Sequence, residues 1–421
     1  MTETVARRSN HWLVLAVLLA IYIVNFADRY LITGLIGPIK AEFGLGDTFM
    51  GLLMGPAFIV LYVFMGVPIA RLADRSSRIR IIAAGCVLWS LATIATGLAT
   101  GPVSLALSRV AVGVGEAAFV APAYSLMADY FRPEKRGIAL AILGLATYFG
   151  QMLGQGGGPA IAALTSWRFA FWSIGALGVV LGLLALAVVR EPERERLADS
   201  ATPRPDFKAL VRMLVASPAM LLITAAMSLG MLSGVAFGYW APELYARSFS
   251  LDPVTVKSAF AVNFGLAGLA GMFAFGLLSD RLSRRGRHWP VRLAGLAIGS
   301  ATLFVLLATW APDFATVGLL AIPSGLLGGG WSVGLHATVQ TLLPASIRAS
   351  GTALYIAVAT LVGQIAGPFA VGLVSDRMGG DAEALQLALT FVIPLGFLGA
   401  VCALLAARHV VADRERLALL A

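Results

Sequence analysis

Apolar positions in this chain neither alternate nor keep to one helical stripe. They run on in long stretches and stop at short polar breaks. A helix needs about 20 apolar residues to cross a bilayer, whereas a strand of an outer-membrane barrel alternates over about ten. Twelve runs fit the first pattern, at about 12–36, 49–70, 79–99, 102–128, 137–163, 167–189, 218–243, 254–279, 290–311, 313–342, 347–375 and 384–407. The expected fold class is therefore an all-α membrane protein with 12 transmembrane helices.

The polar breaks decide the orientation. With both termini on one side, 24 of the 31 Lys and Arg fall in the loops and tails of that side. Five (Lys40, Arg168, Arg247, Lys257, Arg377) fall on the other, and Arg29 and Arg109 lie inside runs. Cytoplasmic loops carry the excess of basic residues, so both termini are expected in the cytoplasm. The Arg-heavy, Lys-poor composition points to a bacterial inner membrane. The first run, after Arg7 and Arg8, is too long for a cleaved signal and is expected to stay as a helix. The longest inner break holds Pro192, Pro203 and Pro205 and divides the chain into a first bundle 1–190, a linker 191–217 and a second bundle 218–421. Its 206–214 part reads either as an amphipathic helix on the membrane surface or as a solvated linker.

The two parts repeat each other. Arg71-Leu72-Ala73-Asp74-Arg75 follows the second run, and Leu277-Leu278-Ser279-Asp280-Arg281 follows the eighth, 206 residues later. Gly154-Gln155-Gly156-Gly157-Gly158-Pro159 recurs as Gly363-Gln364-Ile365-Ala366-Gly367-Pro368, 209 residues later. Such repeats imply a duplicated six-helix unit with a site where the halves meet. The glycines allow helices to approach closely, and each proline perturbs its helix. Asp74, Arg75, Arg78, Asp280 and Arg281 are expected to latch the cytoplasmic helix ends together in one state and release them in another.

Composition narrows the chemistry. Of 421 residues, 59% are hydrophobic and 13% charged, more apolar surface than a soluble fold could hide. The net charge of +9 sits in short loops, so it reflects topology and not nucleic-acid binding. Cys86 and Cys402 lie in separate runs, the four histidines lack ligand spacing, and no lysine follows a Gly-x-x-x-x-Gly. No disulfide framework, metal, cofactor or ATP motor is expected. Neither a His-x-x-x-x-Asp nor paired loop aspartates suggest a membrane enzyme. A passive scramblase or channel would ignore a pH gradient, and the duplication and buried acids favour a carrier over both.

Four charges interrupt the apolar runs. Arg109 and Glu116 lie nearly two helical turns apart in the fourth, on one face and about 10 Å apart along the axis. Asp28 and Arg29 lie in the first. A charge facing lipid costs at least about 2.5–3.5 kcal/mol, so these groups should face a partner or a watery cavity. Asp28 and Arg29 diverge by about 100° and cannot share a partner. One arrangement pairs Asp28 or Glu116 with an arginine while the other acid takes up and releases a proton. Burial disfavours an ionised carboxyl and a nearby arginine favours it, so moving the arginine switches proton affinity. Asp28 and Glu116 are thus the candidate proton carriers, with Arg29 and Arg109 tuning them and attracting an anionic headgroup. The second half has no matching buried charge in its first or fourth helix. It offers Ser228, Ser233, Tyr239, Trp240, Asn263, Trp331, His336, Thr338 and Gln340 instead. Of these, Tyr239, Trp240 and Asn263 are candidate substrate contacts. Glu243 is expected in a helix interface and His336 in a local hydrogen bond.

Ala70-Arg71-Leu72-Ala73-Asp74-Arg75-Ser76-Ser77-Arg78 resembles the Gly-x-Leu-Ala-Asp-Arg-x-Gly-Arg hallmark of the major facilitator superfamily, with Ala70 and Ser77 in place of its glycines. Within that superfamily, three stretches resemble the Spinster family of lysolipid and sphingolipid transporters. They are Asn25-Phe26-Ala27-Asp28-Arg29-Tyr30, Arg109 with Val112-Gly113-Val114-Gly115-Glu116-Ala117, and Ala121-Pro122 with Ala128-Asp129-Tyr130-Phe131. The resemblance implies the major facilitator fold and alternating-access transport, proton-coupled, of an amphiphilic lipid-like substrate such as a lysophospholipid. It also implies a chain that works as a monomer among membrane lipids. The alternative within the superfamily is a small organic anion or drug transporter, since an Asp-Arg pair in the first helix also occurs in organic-anion symporters.

Overall fold

The computed structural model describes residues 10–192, 207–249, 251–344 and 347–420. Most of the expected linker and the N-terminal tail with Arg7 and Arg8 lie outside them. The described residues contain helices and no strand. Twelve helices are long and apolar enough to cross a membrane: α1 His11–Gly34, α2 Asp47–Arg75, α3 Arg78–Gly97, α4 Pro102–Tyr130, α5 Glu134–Leu164, α6 Trp167–Val188, α7 Pro218–Ser248, α8 Pro253–Ser283, α9 Trp289–Thr309, α10 Phe314–Leu342, α11 Ser350–Arg377 and α12 Ala382–Ala406. They match the twelve apolar runs one for one.

The chain forms two compact units, Met1–Leu45 with Ala57–Leu197, and Gly46–Pro56 with Ala198–Ala421. The start of α2 therefore packs with the second unit although its sequence lies in the first half. The break falls at Gly55, whose backbone (φ −110, ψ −94) leaves the helical region. Pro56 follows it and supplies no N–H.

In the first unit α1 lies against α5 along Gly150, Gly154 and Gly158, spaced one turn apart. A Cβ on Gly154 would overlap the Ala27 carbonyl, and one on Gly158 would meet Leu31. In α4, a Cβ on Gly113 would strike the Phe58 carbonyl of α2, and one on Gly115 would crowd Trp89 of α3. These glycines bring α1, α2 and α3 within reach of Arg109 and Glu116. In the second unit Gly329 of α10 meets the backbone of Gly268 in α8 in the same way. Without water to drive association, such close backbone approach is what holds membrane helices together.

The repeated Gly-Gln-…-Pro stretches share a local structure. Met152–Gly157 in α5 and Leu361–Ile365 in α11 are π-helical turns just before Pro159 and Pro368. Each proline leaves the carbonyl four residues earlier, on Gln155 and Gln364, without its helical donor. The wider turn absorbs that loss, and π-turns concentrate at functional positions.

The amphipathic stretch after the linker forms the helix Phe207–Val215. Leu210 and Leu214 are buried in the core of the second unit, so its apolar face covers protein and not the membrane surface. The C-terminal helix Val410–Leu420 closes the same end. Its Asp413 accepts hydrogen bonds from Ser217 Oγ and the Ala219 N–H, each 2.7 Å, and so caps the start of α7.

Candidate functional site

The four charges inside the first unit meet in two crossed pairs. Arg109 Nη1 of α4 donates to Asp28 Oδ2 of α1 at 2.9 Å. Arg29 Nε of α1 donates to Glu116 Oε2 of α4 at 2.6 Å. Exposure is 1% for Asp28, 9% for Arg29, 1% for Arg109 and 0% for Glu116. Both acids are therefore paired at once, Asp28 with Arg109 and Glu116 with Arg29. The physical reason is reach: two long arginine side chains, one from each helix, span the two-turn offset between Arg109 and Glu116.

The pairs differ in their surroundings. Asp28 is well supplied, since Thr93 Oγ1 of α3 donates to its Oδ1 at 2.8 Å. Glu116 has one oxygen, Oε1, buried with no partner, and Arg109 Nε is likewise unpartnered among the described residues. The first helical segment of α4 ends at Glu116, and a second begins at Val120. Pro122 explains the interruption, since it cannot donate to the Ala118 carbonyl. A helix C-terminal end is unfavourable for a carboxylate, an effect that Arg29 offsets. The guanidinium carbon of Arg29 sits 4.7 Å from the Tyr62 ring centre, 4.9 Å from Phe58 and 5.1 Å from Phe26. That of Arg109 sits 5.6 Å from Phe58. Aromatic faces replace part of the hydration these cations give up.

One residue of this cluster was missed. Asn25, one turn before Arg29 on the same face of α1, is 1% exposed, and both its amide atoms lack partners among the described residues. A buried polar atom without a hydrogen bond is costly, so native structures rarely keep one without a use. The signal was available, as Asn25 opens the polar stretch Asn25–Tyr30 within an apolar run.

The second unit buries charge as well, near the end of its first helix, where Glu243 lies in the helix interface expected of it. Glu243 of α7 accepts from Lys257 Nζ of α8 at 2.7 Å and from Arg247 Nε at 3.0 Å. Arg247 reaches Asp47 with both terminal nitrogens at 2.8 Å. Ser375 Oγ of α11 donates to Asp47 Oδ2 at 2.7 Å. Asp376 then accepts from the N–H groups of Asp47 and Thr48, each at 2.7 Å, and caps the start of α2. Sequence reasoning took Arg247 and Lys257 for loop charges because they lie near helix ends.

The remaining candidates divide. Trp240 is wholly buried and donates its indole N–H to the Pro368 carbonyl at 3.0 Å, so it packs α7 on α11 and is not open to a substrate. Tyr239 is buried and Asn263 of α8 is exposed. His336 Nδ1 lies 3.2 Å from Tyr355 Oη, the local contact expected. Arg78 is buried within the first unit, 2.5 Å from Asp129 and 2.7 Å from Glu191. Glu191 also accepts from the Ile79 N–H at 3.1 Å, capping α3. Arg78 thus ties the start of α3 to Asp129 and Glu191 in this conformation. Asp74, Arg75, Asp280 and Arg281 are exposed.

Comparisons with known proteins agree on the kind of molecule. A family model described as Major Facilitator Superfamily matches residues 18–368 and, separately, 231–418. Human "Protein spinster homolog 1" is 30% identical over 435 residues, spanning 96% of this chain and 82% of the human protein. An "MFS-type efflux pump" of Mycolicibacterium smegmatis is 29% identical over 398 residues, spanning 93% of this chain and 91% of that one. A solved bacterial homologue of the human lysosomal transporter Spinster shares the fold at a TM-score of 0.85 and 23% identity, covering 98% of this chain and 99% of the other.

Proposed function

Because the chain belongs to the major facilitator superfamily and is related within it to the Spinster proteins, we propose that this membrane transporter moves amphiphilic, anionic lipid-like molecules such as lysophospholipids by alternating access, driven by protons. The observation that carries the reading is the pair of crossed, buried ion pairs between α1 and α4. Buried ion pairs stabilise poorly compared with apolar packing, so a chain that keeps two inside one unit has a use for them.

The chemistry follows from competition for the arginines. A phosphate headgroup bonds a guanidinium in fork geometry and competes with a carboxylate for it. A carboxylate that loses its arginine in a dry interior binds a proton, and one that regains it gives the proton up. Asp28 and Glu116 are the coupled acids, and Arg29 and Arg109 are shared between them and the headgroup. Glu116, with its unpartnered oxygen, is the acid more readily released. The π-turns in α5 and α11 are where these helices bend, and Asp74, Arg75, Asp280 and Arg281 latch the cytoplasmic ends. Tyr239 and Asn263 serve the apolar part of the substrate. The chain works as a monomer in a bacterial inner membrane with both termini in the cytoplasm, and the Asp47–Arg247 network then lies at the outer surface.

A second reading is supported by the efflux-pump relative: the same four charges handling a small organic anion or drug. Fluorescent lysolipid flux in proteoliposomes separates the two. Saturable lysolipid transport supports the lipid reading. Saturable transport of a water-soluble acid with which lysolipid does not compete overturns it.

A further inference from the structure

At one end of the second unit, a cavity of about 410 Å³ is lined by Asp280, Arg287, Gln340, Thr341, Arg348 and Arg414, among others. We propose that this cavity is a phosphate-binding site, separate from the crossed ion pairs, that takes a phosphate monoester or diester presented by a lipid headgroup or free in solution. The inference does not depend on the transport reading above.

Three arginines line it from three separate elements. Arg287 comes from the turn before α9, Arg348 from the start of the helical segment Arg348–Thr360 that leads into α11, and Arg414 from the C-terminal helix. The preference for basic residues in cytoplasmic loops accounts for arginines at this end, but does not require them to line one cavity. None of the three forms an ion pair among the described residues, and only Asp280 offsets their charge at the cavity wall. Arg348 Nε donates to the Leu343 carbonyl at 3.2 Å, which fixes the stem and leaves both terminal nitrogens for a ligand. The helix ends do not decide the sign. α9 and α11 begin here with partial positive charge, while α8 and α10 finish here with partial negative charge. The arginines decide it, and guanidinium with phosphate is the strongest pairing they can make. Gln340 and Thr341 add neutral hydrogen-bonding groups. The volume lies within the range of about 300–1,000 Å³ usual for small-ligand sites.

Occupancy has a structural consequence. Arg414 is adjacent to Asp413, which caps α7. A phosphate held by Arg414 and Arg348 would therefore tie the C-terminal helix to α11.

The test uses the full-length protein in neutral detergent, with two probes. One is inorganic phosphate, read as a rise in Tm over chloride at equal ionic strength. The other is phosphatidylglycerol against phosphatidylcholine in mixed micelles, read by native mass spectrometry. A response to phosphate alone assigns a free ligand, and retention of phosphatidylglycerol alone assigns a headgroup. Both support the site if Arg348→Gln with Arg414→Gln weakens the response by about tenfold, the effect of losing charge-assisted hydrogen bonds, while Arg80→Gln, a basic residue outside the cavity, leaves it intact. No response to either probe overturns the site, as does equal weakening by Arg80→Gln. Should the double variant not fold, Arg414→Lys keeps the charge and removes the fork. A weaker response in that variant supports the site, and an unchanged one overturns it.

Discussion

The molecule buries charge in two places, and they are built differently. In the first unit, four charges lie along the lengths of α1 and α4 as two separate pairs, with Glu116 Oε1, Arg109 Nε and the Asn25 amide left without partners. In the second unit, Asp47, Glu243, Arg247, Lys257 and Asp376 lie at helix ends in one connected chain. There Asp47 accepts from Arg247 and Ser375, and Glu243 accepts from both Arg247 and Lys257. A saturated network holds its members in one arrangement, since every alternative breaks several bonds. An under-satisfied pair has less to lose by exchanging partners. The contrast is what supports the proposal that coupling belongs to the first region and fastening to the second.

Substitutions can break or sharpen that contrast. The largest effect on transport is expected from Glu116→Gln, which keeps the shape and removes the exchangeable proton. Gradient-driven flux should fall to the level of protein-free liposomes, and Tm should drop as well, because Arg29 is left buried without its carboxylate. Asp47→Asn should spare the coupling. Removing one member of a buried charge network costs about 3–5 kcal/mol, so Tm drops clearly while the pH dependence of the remaining flux is unchanged. Gly154→Val should be milder, because a Cβ there meets the Ala27 carbonyl and overpacking costs about 1–3 kcal/mol. Its signature is a lower Tm with coupling retained. Smallest in stability is Asn25→Leu, expected within about 1 kcal/mol because an unpartnered amide is exchanged for an apolar group. If Asn25 belongs with the working pairs, its pH of half-maximal flux should still move. An unchanged pH profile would remove it from the site.

The fold was legible because the bilayer imposes it: each apolar run long enough to cross became a helix. The four inner charges were legible for the same reason, since a charge inside such a run has no bland explanation. The pairing was not. Helical phase separates Asp28 from Arg29 but does not say which base each faces, and the reach of two arginines let both acids pair at once. Charges at helix ends were misread because Arg247 and Lys257 are indistinguishable from loop charges without knowing what packs there. The packing of Trp240 against α11 was not legible either, because an indole in an apolar run serves packing or a substrate equally well and only the structure shows its bond to the Pro368 carbonyl. The π-turns followed from the repeated glycines and prolines as sites of disturbance, though not in kind.

The central claim is that the crossed pairs carry the coupling. Its most direct test is pH-gradient-driven flux of a fluorescent lysolipid in proteoliposomes, measured for wild type, Asp28→Asn and Glu116→Gln at matched protein orientation. The account predicts gradient-dependent flux in the wild type and its loss in both variants. Full gradient-driven flux in both would contradict it, and the charges would then be only a clamp between α1 and α4.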